Sequence, residues 1–455
     1  MSSDELQLLG EWADRLDPDG IRVDLSADDG HRELYVDLDT WTDEDGRQHE
    51  LRGGGAAEAI VQEILVASRR SGRRSTQLFA GFRGTGKSTE LGRVASRLKQ
   101  QDFCVLRVAA RSYHQLHRAL SAEEVAVMLV AGIGEAALEQ LGEKKLATVS
   151  NAGVWEFIRG RLLKLGLEAA SYKLGIDVRE ALRSGSGLAE KLRKSLGDQT
   201  DTRLREFAHD FVLEVAAAVH PRQLVVLVDE LDKFTASATR VADVYQQMAD
   251  LFFDHAELLN LPACHTVFTV PPYLGFLNQD VATKYTGRAK LLPSVKVQER
   301  PPERRTFLYG IKALEKAMAS RVDLDRLFGE EREDCVSRLA RASGGNPRDL
   351  YRLMLSTVTA AANRKLPVGL AEVASAIEAH SAPKTILKED AELLATVRER
   401  GELADVPRGN LGRFATAMDQ HLMLCYWNGG FWYDAHPLVA DKLPERGGAA
   451  GGGSE

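Results

Sequence analysis

The stretch Leu78–Glu90 (LFAGFRGTGKSTE) constrains this chain more than any other, because Gly81, Phe82, Arg83, Gly84, Thr85, Gly86, Lys87 and Ser88 stand in the order G-x-x-x-x-G-K-S. An apolar run precedes it and a helix-like segment, Leu91–Gln100, follows, which is the setting a phosphate-binding loop needs. Glycines let the backbone curl so that successive N–H groups face one anion. The helix that follows points its positive end at the same place. Lys87 is expected to neutralise the β- and γ-phosphates of ATP, with Gly81 to Ser88 and then Thr89 lining the nucleotide. The Ser88 hydroxyl would hold Mg²⁺.

A second motif lies in Gln223–Phe234 (QLVVLVDELDKF). Five consecutive apolar residues, Leu224–Val228, read as a strand buried on both faces, as in a parallel sheet. Asp229 and Glu230 follow at its C-terminal end, where open α/β sheets bind ligands. Asp229 is expected in the Mg²⁺ shell, and Glu230 as the general base that polarises the attacking water. Strands often end in acids simply because the chain leaves the core. The phosphate loop upstream is what turns the pair into an expectation of ATP binding and hydrolysis.

At 455 residues the chain is too long for one core. A net charge of −7 and a pI near 6.0 argue against a main job of coating nucleic acid. Cys104, Cys264, Cys335 and Cys425 are widely spaced, which suggests reduced core thiols rather than a zinc site or disulfide framework. The N-terminus lacks the basic and apolar regions of a signal peptide, and no apolar run reaches the roughly 18 residues of a membrane span. A cytoplasmic location and no membrane partner are expected.

The organisation expected is a lead-in or strap over 1–55, a core over 56–300 and a helical unit over 301–382. A third unit over 383–446 and a Gly-rich tail over 447–455 complete it. Ala56–Arg70 reads as a helix, and Glu33–Asp39 as a strand or extended strap. Strand-like runs recur at Gln77–Ala80, Cys104–Val108, Leu224–Val228 and Thr266–Val270, separated by helical patterns, so the core is α/β with a parallel sheet. Lys87 and Asp229 are 142 residues apart, and about 121–219 reads as a helical insertion, either a partner surface or an enlarged core. Thr306–Ala319, Asp323–Arg341, Pro347–Asn363 and Leu370–His380 carry helical spacing. Glu392–Arg400 and Leu411–His421 read as helices, and Leu422–Trp427 and Phe431–Ala435 as strands around Asn428, Gly429 and Gly430, a hairpin signal. Helices followed by a hairpin describe a winged helix.

With that layout the chain resembles the AAA+ class of P-loop ATPases, above all the origin-recognition type and the STAND signalling ATPases, over about residues 35–440. The resemblance implies an α/β P-loop core, an all-α lid and a C-terminal winged helix. It also implies that Thr269, or less well Thr266, senses the γ-phosphate from the strand in CHTVFTVPPYL. In SGGNPRDL it places the lid's second sensor at Arg348, behind a helix start with Asn346 as cap and Pro347 in the first turn. Arg288, Arg304 and Arg305 are candidates for an arginine finger. The basic run Arg69, Arg70, Arg73 and Arg74 reads as a solvated loop or a nucleic-acid contact.

Residues 401–446 hold the bases Arg408, Arg413, Lys442 and Arg446 against the acids Glu402, Asp405, Asp419, Asp434, Asp441 and Glu445. Their wing carries Tyr426, Trp427, Phe431, Trp432 and Tyr433, which points to a protein contact more than to specific DNA. The function expected is an ATP-dependent switch in bacterial signalling or defence, acting on a protein partner through the winged helix or the insertion, with homo-oligomerisation through the nucleotide site. The rival is a DNA-bound initiator, loader or transposition-regulator ATPase.

Overall fold

The computed structural model describes residues 3–21, 23–27, 31–70, 73–115, 120–142, 158, 178–184, 187–233, 241–277, 279–362, 364–403 and 411–444. Its strands are β1 (Thr40–Thr42), β2 (Gln48–Glu50), β3 (Thr76–Gly81), β4 (Cys104–Ala109), β5 (Leu224–Asp229), β6 (Cys264–Val270), β7 (Lys290–Leu292), β8 (Met423–Trp427) and β9 (Phe431–Ala435). Two compact units emerge. One comprises 1–55, 82–89 and 292–455, and the other 56–81 and 90–291.

The second unit is the α/β core. Its five-stranded sheet runs β4-β5-β6-β3-β7, and the pairs β4–β5, β5–β6 and β6–β3 are all parallel. Every residue of β3, β5 and β6 is buried, as an apolar run covered on both faces requires. Helix Ala122–Leu141 starts in a capping box of Ser121 and Glu124 and buries most of its length beside β4. Helix Thr200–Val219 packs against it through Leu204, Phe207, Phe211 and Val215. In the segment expected to be an insertion, these two helices are therefore part of the core itself. Most of residues 143–177 lie outside the described residues.

The first unit is largely helical. Helix Ser3–Leu16, absent from the sequence reading, docks Leu9, Trp12 and Leu16 beside helix Pro347–Ala361. The guanidinium of Arg321, stacked over Tyr351, donates to the Arg15 carbonyl at 2.7 Å and fixes that end. Glu33–Asp39 is not a strand: a 3-10 turn at Arg32–Leu34 leads into irregular chain, and the pairing falls later, in the short antiparallel hairpin β1–β2. The helix expected over Asp323–Arg341 is broken at Gly329, which has φ +57, into Leu324–Phe328 and Arg332–Ala342. Helix Leu411–Asp419 precedes the antiparallel hairpin β8–β9, whose Asn428, Gly429 and Gly430 turn is where the sequence places it. All four cysteines are buried and none forms a disulfide with another. No described helix is long and apolar enough to cross a membrane. The tail 447–455 lies outside the described residues.

Candidate functional site

In the first unit, loop residues 82–89 carry the phosphate-loop signature. Gly84 and Gly86 adopt φ +83 and +94, in the left-handed region that favours glycine. A Cβ on Gly86 would meet nothing within 4 Å, so open space lies over the curl, as an anion-binding cradle requires. Lys87 opens helix Lys87–Lys99, is nearly buried, and folds its Nζ onto the Phe82 carbonyl at 3.0 Å. The Thr85 hydroxyl donates to the same carbonyl at 2.9 Å.

Helix Pro347–Ala361 meets this loop at its N-terminus. Asn346 caps it, accepting from the N–H groups of Arg348 and Asp349, with Pro347 in the first turn. The Asn346 amide then donates to the Arg83 carbonyl at 2.8 Å, and the Arg348 N–H donates to the Gly84 carbonyl at 3.3 Å. A side chain at Gly84 would collide with Asn346 and Arg348. Sequence reasoning treats Asn346 only as a cap and misses its grip on the loop.

Arg348 thus stands beside the phosphate loop, but its guanidinium turns to Asp19 at 3.7 Å, which also pairs with Arg352 at 3.0 Å. Burial and then the nearby Arg352 lower the Arg348 pKa below its ordinary value. Arg83 likewise directs its side chain away from the loop, to Asp419 at 2.8 Å at the end of helix Leu411–Asp419. Neither Asp19 nor Asp419 leaves a signal in the sequence, since each is one acid among many.

In the second unit the acidic pair ends β5. Asp229 stands in register with Ala109 of β4, and its Oδ1 accepts the Glu230 N–H at 2.7 Å. Glu230, only 1% exposed, adopts φ +72, a costly conformation for a non-glycine residue. Its carboxylate lies between two cations, Lys233 Nζ at 2.7 Å and Arg111 Nε at 2.9 Å. Arg111 sits in the 3-10 turn Ala110–Ser112 that follows β4, and the sequence reading misses it. Thr269 pairs with Phe79 across β6 and β3, and its buried hydroxyl donates to Asp232 at 3.3 Å. Thr266, also buried, lies three residues deeper in the strand and shares a 3.6 Å contact with Cys264. Because β3, β6, β5 and β4 run parallel, the ends at Gly81, Val270, Asp229 and Ala109 lie on one edge of the sheet.

Two expectations need correction. Arg304 cannot serve as a free finger: it is paired with the buried Asp434 and with the Arg398 carbonyl. The wing aromatics, read from sequence as surplus, are also largely packed within the chain. Trp432 is fully buried and stacks on Tyr426 at 4.5 Å, and the Tyr426 hydroxyl donates to the Gly344 carbonyl at 2.8 Å. Trp427 packs over Gly53 and donates to Glu50 at 3.3 Å, leaving Phe431 as the exposed ring. Much of the aromatic surface is thus taken up by the chain's own packing, with Phe431 exposed.

No protein-family model matches the chain, and no curated protein does. Solved structures similar to it include the ORC1 protein of Aeropyrum pernix in complex with DNA, at 13% identity and TM-score 0.37 over 95% of this chain and 97% of that one. The Aeropyrum pernix ORC2 protein, solved as ADPNP–ADP complexes, is similar at 12% identity and TM-score 0.39, over 90% and 93%. Drosophila ORC bound to DNA is similar at 14% identity and TM-score 0.37, over 96% and 90%.

Proposed function

We propose that this chain is a Mg²⁺-dependent, ATP-binding and ATP-hydrolysing switch, with a helical lid and a winged helix appended to its α/β core. The observation that carries this reading is the grip of the lid helix on the phosphate loop, through Asn346 on the Arg83 carbonyl and the Arg348 N–H on the Gly84 carbonyl. A loop clamped in this way passes a change in its occupancy straight to the helix that holds it.

The loop N–H groups and Lys87 would hold the triphosphate, and Ser88 with Asp229 the metal ion, whose charge offsets that of the phosphates. Glu230 would take the proton of the attacking water, and Thr269 would read the γ-phosphate from the end of β6. Arg348 would exchange Asp19 for phosphate oxygens, an exchange favoured by the higher charge of the nucleotide. Removing that arginine should therefore leave binding in place and reduce the conformational response. Small-angle scattering with and without a non-hydrolysable ATP analogue tests this: Arg348→Ala should show a smaller nucleotide-dependent change than the unaltered chain. An undiminished change would make Arg348 a surface residue and remove the lid from the switch.

For the partner we favour protein over specific DNA. Arg413 is the basic residue of helix Leu411–Asp419, and it is already paired with Glu389 and Asp390. A helix whose cation is neutralised gains little from releasing counterions at phosphates. The full chain with ATP should therefore leave DNA unshifted in an electrophoretic mobility assay at physiological salt. Tight, salt-sensitive binding would transfer the assignment to a DNA-bound initiator ATPase.

A further inference from the structure

Asp349, His421 and His436 bring one carboxylate and two imidazoles together, their ligand-type atoms all within 4.8 Å of one another. The groups around them decide what the cluster does. Asn346 Oδ1 is committed to the Arg348 and Asp349 N–H groups at 3.1 and 3.3 Å. Its amide nitrogen must then give one hydrogen to the Arg83 carbonyl and the other to His421 Nε2 at 3.0 Å. His421 Nε2 is therefore an acceptor, and its proton sits on Nδ1, 3.1 Å from Asp349 Oδ2. His436 is ordered in the same sense: Nδ1 accepts the Leu438 N–H at 3.1 Å, and Nε2 donates to the same carboxylate oxygen at 2.8 Å.

A metal ion would need the inward nitrogens bare and the outward ones protonated. Here the outward nitrogens both face donors, so the cluster is not a metal site. It is a hydrogen-bond network with fixed donors and acceptors: Asn346 donates both to the Arg83 carbonyl of the loop and to His421, and His421 donates on to Asp349.

We propose that this chain makes nucleotide affinity depend on the protonation state of His421: the neutral ring holds Asn346, and through it the Arg83 carbonyl of the phosphate loop, and the protonated ring releases them. The proposal rests on the reading of that loop as the ATP site. A proton on Nε2 would face the Asn346 amide hydrogens, donor against donor. Asn346 cannot turn over to accept it, because that would surrender both backbone bonds at the helix cap.

Burial alone would raise the Asp349 carboxyl, but hydrogen bonds from His421 and His436 outweigh it and hold the group below the ordinary carboxylate range. Burial pushes His436 down to about 4, which favours its neutral form. The Arg83–Asp419 pair lies alongside; His380 and Lys384 interact with Asp349, Lys384 also with His436, and Arg352 acts on His380 and Lys384, with Lys442 beside Lys384; burial lowers both His380 and Lys384. The sign follows directly. Proton uptake opposes nucleotide binding, so affinity is highest with His421 neutral and falls as the pH falls. Added positive charge by itself would strengthen binding to a polyphosphate, so the expected trend runs against simple electrostatics.

His421→Gln tests it, because glutamine can offer an acceptor to Asn346 and a donor to Asp349 but takes up no proton. MgATP binding by the full chain would be measured calorimetrically at about pH 8 and about pH 5.5. ATP's own titration is common to both proteins and cancels in the comparison. The unaltered chain should lose roughly tenfold more affinity between the two pH values than the variant, the scale set by one linked proton. Parallel losses would overturn the proposal and leave the ATP site standing. Failure of both proteins to bind at the higher pH would overturn the ATP site and the proposal together. If thermal melting shows that His421→Gln does not fold, His421→Asn takes its place. Asparagine suits the φ of +57 at this position and keeps the donor to Asp349, and its affinity should be equally insensitive to pH.

Discussion

Lys87→Ala should abolish measurable ATP binding while leaving the chain folded. Lys87 is 7% exposed, and its ammonium donates to the Phe82 carbonyl at 3.0 Å within the loop. A triphosphate entering that loop would find one buried cation to set against its charge. Truncating one member of a buried, hydrogen-bonded charge pair costs about 2–5 kcal/mol, which is roughly 30- to several thousand-fold in affinity. The folded state is expected to lose much less, because water can reach the open space over Gly86 and solvate the groups that the ammonium leaves. Calorimetric titration with MgATP, beside a thermal melt of each protein, separates the two effects. Affinity like that of the unaltered chain would end the phosphate-loop assignment.

The parts of this molecule legible in its sequence are those specified by short-range pattern. Strands β3, β5 and β6 announce themselves as apolar runs because both faces of a parallel strand are covered, and the hairpin β8–β9 because Asn-Gly-Gly supplies the backbone freedom of a tight turn. The curl of residues 82–89 is legible for the same reason, since its glycines and Lys87 are contiguous. What pattern leaves dark is held by partners far away in the chain. Helix Ser3–Leu16 looks like a polar lead-in until Trp12 and Leu16 find helix Pro347–Ala361. Strands β1 and β2 carry no apolar alternation at all.

The site divides along the same line. Lys87, Asp229 and Glu230 sit in motifs, whereas Asp19, Arg111 and Asp419 act through contacts that no spacing encodes. The wing shows the opposite error. Trp427 and Trp432 look like surplus, because the sequence does not say that Gly53 offers a bare backbone for one ring and Tyr426 a stacking partner for the other.

Glu230→Gln should bind ATP and turn it over about 10²–10⁴-fold more slowly, the range a positioned acid–base group contributes. Glutamine is the informative replacement here. It keeps the volume of a side chain that is 1% exposed and makes the same demand on a backbone at φ +72. It cannot keep both cation contacts, because one carboxylate oxygen becomes an NH₂ donor facing either Lys233 or Arg111. That loss would be a serious defect if the partners were buried. Their side chains are 26% and 42% exposed, so whichever cation is released regains water, and the cost to folding is that of a partly solvated pair, about 1 kcal/mol. A large fall in turnover with a nearly unchanged melting temperature would therefore come from the chemistry and not from misfolding. The position of the carboxylate adds a second requirement. It lies between two cations, so it has to leave one of them to reach a water molecule. Single-turnover hydrolysis of pre-bound MgATP isolates this step from nucleotide exchange. If the variant's single-turnover rate matches that of the unaltered chain, Glu230 is an internal ion-pair residue of the core and another group takes the proton.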